Sequence, residues 1–201
     1  MGLHQAFPDA EIVGVDLKPQ KRFPFTFVQG DALTFPLDGF DFVWASFPCQ
    51  DYTVLRARTG KRYARLLDAG RWRLVLSGKP WIMENVPGST LRKDAVLYGN
   101  SFGLRVYRHR WFEASFPISS PEHVKHVLPT GRSRGQTQRK ASYMAGNFVT
   151  VTGNVGSYAG PAMGINWMTG DELSQAIPPA YSKYLAQFIP TGKEVMPQGS
   201  R

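Results

Sequence analysis

The stretch FDFVWASFPC, residues 40–49, decides the fold, because a strand-like run leads directly into a proline and a cysteine. Aromatic and β-branched residues fill its first half, which predicts a short β-strand. Similar short runs occupy residues 12–16, 25–28 and 80–83. Residues 63–77 have apolar side chains at roughly helical spacing. Short apolar strands separated by helical stretches predict a parallel α/β sheet.

Four reactive or polar residues lie at or just past the ends of these predicted strands, namely Asp16, Asp31, Cys49 and Glu84. In open α/β sheets the carboxyl edge of the strands is where ligands bind. We therefore expect a functional site along one rim of the sheet. Taken alone, Asp31 is better explained as an ordinary turn residue.

The composition fits one soluble domain with at most a small appended lobe, since the chain has 201 residues and 42% hydrophobic content. A single cysteine excludes an intrachain disulfide and a Cys-rich zinc site, and we expect no metal. No run of about 18 apolar residues occurs, so we expect no membrane span. The opening sequence MGLHQAFPDA has neither a basic leader nor a long apolar run. These features favour the cytoplasm.

The charge balance favours a polyanionic partner, because the net charge is +9. A generally basic soluble protein is the plain alternative. Two regions concentrate the positive charge: residues 56–79, with Asp68 as their only acid, and the acid-free stretch between Glu122 and Asp171. The candidate DNA-contacting side chains in these regions are Arg56, Arg58, Arg62, Arg132, Arg134 and Arg139.

Three short motifs follow one another in the chain: Pro48-Cys49-Gln50, Glu84-Asn85-Val86 and Arg108-His109-Arg110. Each is weak alone, but their order, spacing and strand context resemble the DNA cytosine-5 methyltransferase family of phage or bacterial type. The resemblance covers residues 1–113 well, and residues 175–181 are similar to the last motif of the family. The resemblance implies that the protein acts in the cytoplasm, either of a bacterium or of the host cell of a phage.

The resemblance implies a Rossmann-like methyltransferase sheet with helices on both faces. Residues 1–113 would be the catalytic core, and residues 114–160 a small, loop-rich, basic target-recognition region. Residues 161–190 would return to the core as helices, and residues 191–201 would be a flexible tail.

The resemblance also implies roles for the motif residues. Cys49 would be the nucleophile that attacks carbon 6 of cytosine, and Glu84 would stabilise the adduct at ring nitrogen 3. Arg110 would bind the carbonyl oxygen of the base or hold the environment of the thiolate. Pro48 would set the backbone approach to Cys49, and Asn85 would brace the loops. A lone cysteine is ordinarily a small buried hydrophobic residue. The motif residues around Cys49 and the later Glu84 favour the role of a nucleophile instead.

The implied methyl donor is S-adenosylmethionine. Asp16 would hold its ribose hydroxyls, Asp31 would bind its adenine amino group, and Phe47 would lie near it. Family members begin with a strand and a glycine-rich loop of the type FxGxGG, whereas this sequence starts at Met1 in what resembles the following helix. We therefore expect a sheet without its first strand, with two open strand edges and with weak or absent donor binding.

The expected partner is double-stranded DNA, from which the target cytosine must be flipped out, and we expect a monomer. The basic residues after Cys49 would grip phosphates near that base. Two alternatives stay open: a non-catalytic DNA-binding remnant of the family, and an RNA cytosine methyltransferase with the same chemistry. Trapping on DNA or RNA that carries 5-fluorocytosine separates these three interpretations.

Overall fold

The computed structural model describes residues 1–49, 52, 66–123, 135–153 and 155–191. Its strands are β1 (Val13–Asp16), β2 (Thr26–Gln29), β3 (Val43–Ala45), β4 (Trp81–Asn85), β5 (Ala95–Leu97) and β6 (Arg110–Ala114). Its α-helices are α1 (Gly2–Ala6), α2 (Leu67–Leu76), α3 (Gln136–Met144), α4 (Ala159–Met163), α5 (Gly170–Gln175) and α6 (Pro179–Ala186). A 3-10 helix covers Gly99–Phe102. The protein is therefore of the mixed α/β class.

The strands form two sheets. One contains the parallel pair β1-β2, and the other has the order β3-β4-β6-β5. Strands β3 and β4 are parallel, as the sequence predicts, whereas β6 runs antiparallel to both β4 and β5. A parallel pairing needs a crossover connection; a 3-10 helix and loops join β5 to β6 instead. The prediction of a parallel sheet is thus wrong for β6, which runs opposite to the other three strands of its sheet.

Open strand edges occur in both sheets. Within the described strands, β1 and β2 pair only with each other, and β3 and β5 are the edge strands of the second sheet. The two sheets are linked through side chains and helices: Arg22 forms an ion pair of 3.1 Å with Glu172 at the start of α5. Helix α1 packs closely on α6 at Gly2, where an added Cβ would lie 2.0 Å from the carbonyl oxygen of Pro179.

Strand β4 is the centre of the core, and all five of its residues are buried. On one face Ile82 packs with Phe112 of β6 and with Tyr181 of α6. On the other face Trp81 and Met83 pack with α2. The alternation follows from the two-residue period of a strand, and it places a helix against each face of β4.

A second buried cluster lies in the C-terminal half. Its members include Val106, Val149, Tyr158, Met163 and Leu173, and it contains residues from both sides of position 160. Val149 makes an isolated parallel bridge to Val106. Helix α3 lies beside this cluster in the region predicted to be rich in loops.

Helices α5 and α6 begin where the sequence indicates. Thr169 and Glu172 form a capping box at the start of α5, and Pro179 occupies the first turn of α6. Within the described ranges, no helix is long and apolar enough to cross a lipid bilayer. The predicted tail lies outside the described residues, except for Thr191.

Candidate active site

The antiparallel pairing of β4 with β6 brings Glu84 and Arg110 together. Glu84 lies opposite Phe112, so Arg110, two residues earlier on β6, lies diagonal to Glu84 on the same face. Glu84 Oε1 is 2.8 Å from Arg110 Nε, and the two side chains are only 9% and 12% exposed. The same face carries Tyr181 of α6. The structure therefore joins two of the predicted catalytic residues in one shielded ion pair.

Burial and the neighbouring groups act in opposite directions on the protonation of Glu84. Burial raises the pKa of this carboxyl above its usual range, although the charges of Arg110 and Arg108 and a hydrogen bond with Ser46 act in the opposite direction. The indole nitrogen of Trp44 also donates to Ser46 Oγ, at 3.2 Å. Sequence reasoning missed Ser46, whose only signal was its position between the strand and Pro48.

Cys49 is half-buried in the loop that follows β3. Asn85 fixes this loop, because its side-chain nitrogen donates to the carbonyl oxygen of Phe47 at 2.9 Å. Its side-chain oxygen accepts the N–H of Val86 at 2.9 Å. Asn85 thus has the contacts that a bracing residue requires. Pro48 is exposed beside Cys49.

Arg108 holds several chain segments together. Its guanidinium donates to the carbonyl oxygens of Val151 at 2.6 Å, Ser174 at 2.7 Å and Ala176 at 2.9 Å. The hydroxyl of Tyr181 donates to the carbonyl oxygen of Arg108 at 2.8 Å. Arg108 is therefore committed to main-chain carbonyls, whereas Arg110 contacts both Glu84 and the carbonyl oxygen of His109.

The charge of Arg108 also reaches the site. Burial lowers its pKa to about 9, with repulsion from Arg110 adding to the effect and attraction from Glu84 and Cys49 opposing it. This pKa leaves the guanidinium charged at neutral pH. Burial raises the pKa of Tyr181, so its hydroxyl stays protonated as a donor. The sequence indicated Tyr181 only as part of the last motif, not as a neighbour of Glu84.

The two predicted donor-binding acids lie at the carboxyl end of the β1-β2 pair. Asp16 ends β1 and accepts the N–H of Lys18 at 2.8 Å and the side-chain amide of Gln20 at 3.1 Å. Asp31 follows β2 and accepts the N–H of Leu33 at 2.8 Å. Both carboxylates are exposed and so are accessible to hydroxyl or amino groups of a ligand.

The third predicted donor-binding residue, Phe47, belongs partly to the core. Its ring packs against α2 at Gly70, where an added Cβ would lie 2.1 Å from the ring. The residue is half-buried. Only the part of the ring that faces away from α2 is left for contact with a ligand.

Most of the predicted DNA-contacting residues lie outside the described residues: Arg56, Arg58, Arg62, Arg132 and Arg134. Gln50 of the first motif also lies outside them. Arg139 is described, on α3. Its Nη1 donates to the carbonyl oxygen of Thr152 at 3.0 Å and lies 3.4 Å from the hydroxyl oxygen of Tyr158. Its guanidinium therefore serves at least partly to dock the helix.

No protein-family model matches this chain, and no curated protein matches it at a significant level. Within the described part of the chain, no group of three or more His, Cys, Asp and Glu side chains is placed to hold a metal ion. Functional inference therefore depends on the motifs, on the pairing of Glu84 with Arg110, and on the position of Cys49 after the neighbouring strand β3.

The buried carboxyl predicts a specific pH dependence of stability. Because the pKa of Glu84 is raised in the folded protein, its contribution to stability is fully present below its ordinary pKa of 4.5 and is lost as the pH rises through the folded value. Relative to Glu84→Gln, the wild-type protein should become progressively less stable as the pH rises from 4.5. Urea midpoints measured from pH 4 to 8 test this, with Asp9→Asn as an exposed control for the change in charge. Parallel profiles for all three proteins would contradict it.

Proposed function

We propose that this protein transfers a methyl group from S-adenosylmethionine to carbon 5 of cytosine in double-stranded DNA, through a covalent adduct with Cys49. One observation carries the proposal. A buried carboxyl with a raised pKa, Glu84, is paired with Arg110 near the end of β4, and Cys49 lies in the loop after the neighbouring parallel strand β3. Perturbed acids beside a nucleophile are typical of catalytic sites.

The arrangement suits addition to a pyrimidine ring. The thiolate of Cys49 forms a bond to carbon 6, and the electron pair of the ring double bond moves toward nitrogen 3. Protonated Glu84 donates its proton to that nitrogen, which keeps the adduct neutral. Carbon 5 thereby becomes an enamine carbon that can attack an electrophile. The raised pKa of Glu84 supports this role, because an ionised carboxylate has no proton to give.

After methyl transfer, elimination restores the aromatic cytosine ring. A proton acceptor removes the proton of carbon 5, the carbon–sulfur bond breaks, and Cys49 leaves as a thiolate. Nitrogen 3 returns its proton to the carboxylate of Glu84. Arg110 stabilises this carboxylate while it is charged, since its Nε lies 2.8 Å away. The described groups thus serve both halves of the reaction.

When bound, S-adenosylmethionine supplies an electrophilic methyl group on a sulfonium sulfur. Asp16 and Asp31 would hold its hydroxyl and amino groups, since both carboxylates are exposed at neighbouring strand ends. The parallel pairs β1-β2 and β3-β4 have their carboxyl ends beside Asp16 and Cys49, which supports a Rossmann-like arrangement for the proposed enzyme.

Covalent trapping tests the proposal. A 5-fluorocytosine has no proton at carbon 5, so a methylated adduct cannot eliminate Cys49. The protein is incubated with radiolabelled S-adenosylmethionine and a mixed-sequence duplex in which 5-fluorocytosine replaces cytosine. With the donor at a concentration high enough to offset the weak binding expected from the sequence, a labelled protein–DNA band on a denaturing gel is the expected result. A band on RNA of the same composition, but not on DNA, would favour an RNA methyltransferase. The absence of a band on either polymer would contradict the proposal and favour a non-catalytic DNA-binding remnant.

A further inference from the structure

Ser46 directly follows β3 and lies beside Glu84. Strands β3 and β4 pair in parallel, with Trp44 opposite Ile82. Two residues further along this register, Ser46 comes next to Glu84. The two-residue period of a strand directs both side chains to the face that also carries Trp44 and Ile82. The hydrogen bond between Ser46 and Glu84 agrees with this placement.

Trp44 limits how the hydroxyl of Ser46 can act. The indole N–H of Trp44 donates to Ser46 Oγ at 3.2 Å. A serine hydroxyl has one hydrogen to donate and two acceptor sites, so an Oγ that accepts from the indole still has its hydrogen available for Glu84. The indole ring is itself held by an edge contact with Phe112, with ring centres 5.8 Å apart. Trp44, Ser46 and Glu84 thus form a line of donors that ends on a carboxyl.

Two donors therefore meet the carboxyl of Glu84, and they differ in kind. Arg110 Nε lies 2.8 Å from Glu84 Oε1, and this guanidinium also donates to the carbonyl oxygen of His109 at 2.7 Å. The hydroxyl of Ser46 carries no charge. Hydrogen bonds donated to a carboxylate stabilise its ionised form, whereas burial favours the protonated form. The contact with Ser46 can therefore be removed without any change in the net charge of the site.

The other titratable groups around Glu84 come from three further segments. The charge of Arg108 lowers the pKa of Glu84, and Glu84 in turn acts on Tyr181 of α6. Cys49, in the loop after β3, acts on Arg108. His109 stacks instead on a buried tyrosine that follows β5, with ring centres 5.3 Å apart. All of these groups stay in place when the hydroxyl of Ser46 is removed, so any change in the titration of Glu84 reports that one contact.

We propose that Ser46 is a positioning residue, whose hydroxyl, directed by Trp44, holds the Glu84 carboxyl so that it can give a proton to the pyrimidine and take it back. The term "pyrimidine" rests on the proposed function, whereas the control of Glu84 by Ser46 does not. A group that both gives and regains a proton works best when its pKa lies near the working pH. Without the hydroxyl, burial is opposed less strongly, and Glu84 would hold its proton too firmly to donate it rapidly.

Direct titration of Glu84 tests the inference without DNA and without donor. The chain has six glutamates, so carbon-13 NMR of protein labelled at the glutamate carboxyl gives few signals, and Glu84→Gln assigns the relevant one. The wild-type protein is compared with Ser46→Ala, Ser46→Thr and Trp44→Phe. Ser101→Ala is the matched control, because its hydroxyl donates to the carbonyl oxygen of Glu122 at 3.0 Å, away from this site. Thermal melting verifies that each variant folds.

The expected result is that the titration midpoint of Glu84 moves to higher pH in Ser46→Ala. Trp44→Phe should move it less and in the same direction, because the hydroxyl remains but loses the N–H that directs it. Ser46→Thr, which keeps a hydroxyl, and Ser101→Ala should match the wild-type protein. An unchanged midpoint in Ser46→Ala, or a shift to lower pH, would overturn the inference.

Hydrogen exchange at carbon 5 tests the same residue in the reaction, again without donor. When Cys49 adds to carbon 6, the enamine carbon 5 can take a proton from water. Elimination then releases tritium from DNA that carries 5-tritiated cytosine. Ser46→Ala should release tritium about 5-fold more slowly at its pH of maximum rate, which corresponds to one net hydrogen bond. Its loss of activity with rising pH should also occur at higher pH, because Glu84 keeps its proton longer. A slower rate with an unmoved pH profile would indicate a merely structural role and overturn the inference.

The outcomes separate this inference from the proposed function. A wild-type protein that never releases tritium, but whose Glu84 titration responds to Ser46, overturns the proposed chemistry and supports the control of Glu84 by Ser46. A wild-type protein that releases tritium, but whose Glu84 titration ignores Ser46, overturns only the inference. Ser46 is exposed, so a raised KM for DNA with an unchanged Glu84 midpoint would mean that it contacts DNA itself, and this would also overturn the inference.

Discussion

Cys49→Ser should reduce covalent capture of a 5-fluorocytosine duplex by about 10⁴-fold or more, because removal of a nucleophile eliminates the covalent route altogether. A serine hydroxyl has almost no ionised fraction at neutral pH, and an adjacent general base would be needed to activate it. Duplex affinity should stay the same, because the substitution changes one atom of a half-buried side chain. Labelled adduct on denaturing gels and fluorescence anisotropy with an unmodified duplex measure the two quantities.

The interpretation of this experiment is simple because the chain has one cysteine. Any thiol-dependent adduct must form at Cys49, so mapping a second site is unnecessary. A serine variant that is still captured at the wild-type rate would refute the covalent role. A variant that loses capture together with its cooperative thermal transition would be uninformative, and Cys49→Ala, which fits the same space, then repeats the comparison.

Local composition was sufficient to predict four of the strands. The predicted runs at residues 12–16, 25–28, 40–45 and 80–83 overlap β1, β2, β3 and β4. Each run is rich in β-branched and aromatic residues, and strand formation in such segments depends on side chains that pack against a sheet. The helix predicted over residues 63–77 contains α2, although its apolar residues do not all face the core: Leu67 and Leu74 are buried, whereas Trp72 and Leu76 are exposed.

Strand direction and long-range contacts could not be predicted in the same way. Whether β6 runs parallel or antiparallel depends on the path of the connection, which local periodicity does not encode. Arg108 bonds to carbonyl groups 43 to 68 positions away in the sequence. The motif pairs Arg108 with Arg110, but burial and these carbonyl contacts give the two guanidinium groups different surroundings.

Helix α3 shows a further limit of the sequence. Its residues, QTQRKASYM, are mainly polar, and Arg139 and Tyr143 make contacts that dock it. A hydrophobic pattern reports burial in a core, whereas this helix is held by cation–ring and main-chain contacts. The composition of the region therefore indicated loops. The composition also indicated a basic region, and the exposed Lys140 on α3 agrees with that.

Arg108→Met should lower the free energy of unfolding by about 3 kcal/mol, since three carbonyl groups each lose a donor worth about 1 kcal/mol. Methionine fills a similar volume and so leaves little cavity, which confines the effect to the lost hydrogen bonds. Arg108→Lys should recover only part of the loss, because one ammonium cannot reach the carbonyl oxygens of Val151, Ser174 and Ala176 at once. Urea unfolding at pH 7 measures the differences.

Arg22→Met is the matched control for this prediction. Arg22 also makes an ion pair, but its side chain is 51% exposed, so its loss should cost less than about 1 kcal/mol. Equal losses for Arg22→Met and Arg108→Met would contradict the role of Arg108 as the residue that joins these segments. A large loss of stability confined to Arg108→Met would mean that the two arginines of the Arg-His-Arg motif have different roles. Its first arginine would hold residues 151 and 174–176 against β6, and its second would be left to serve Glu84.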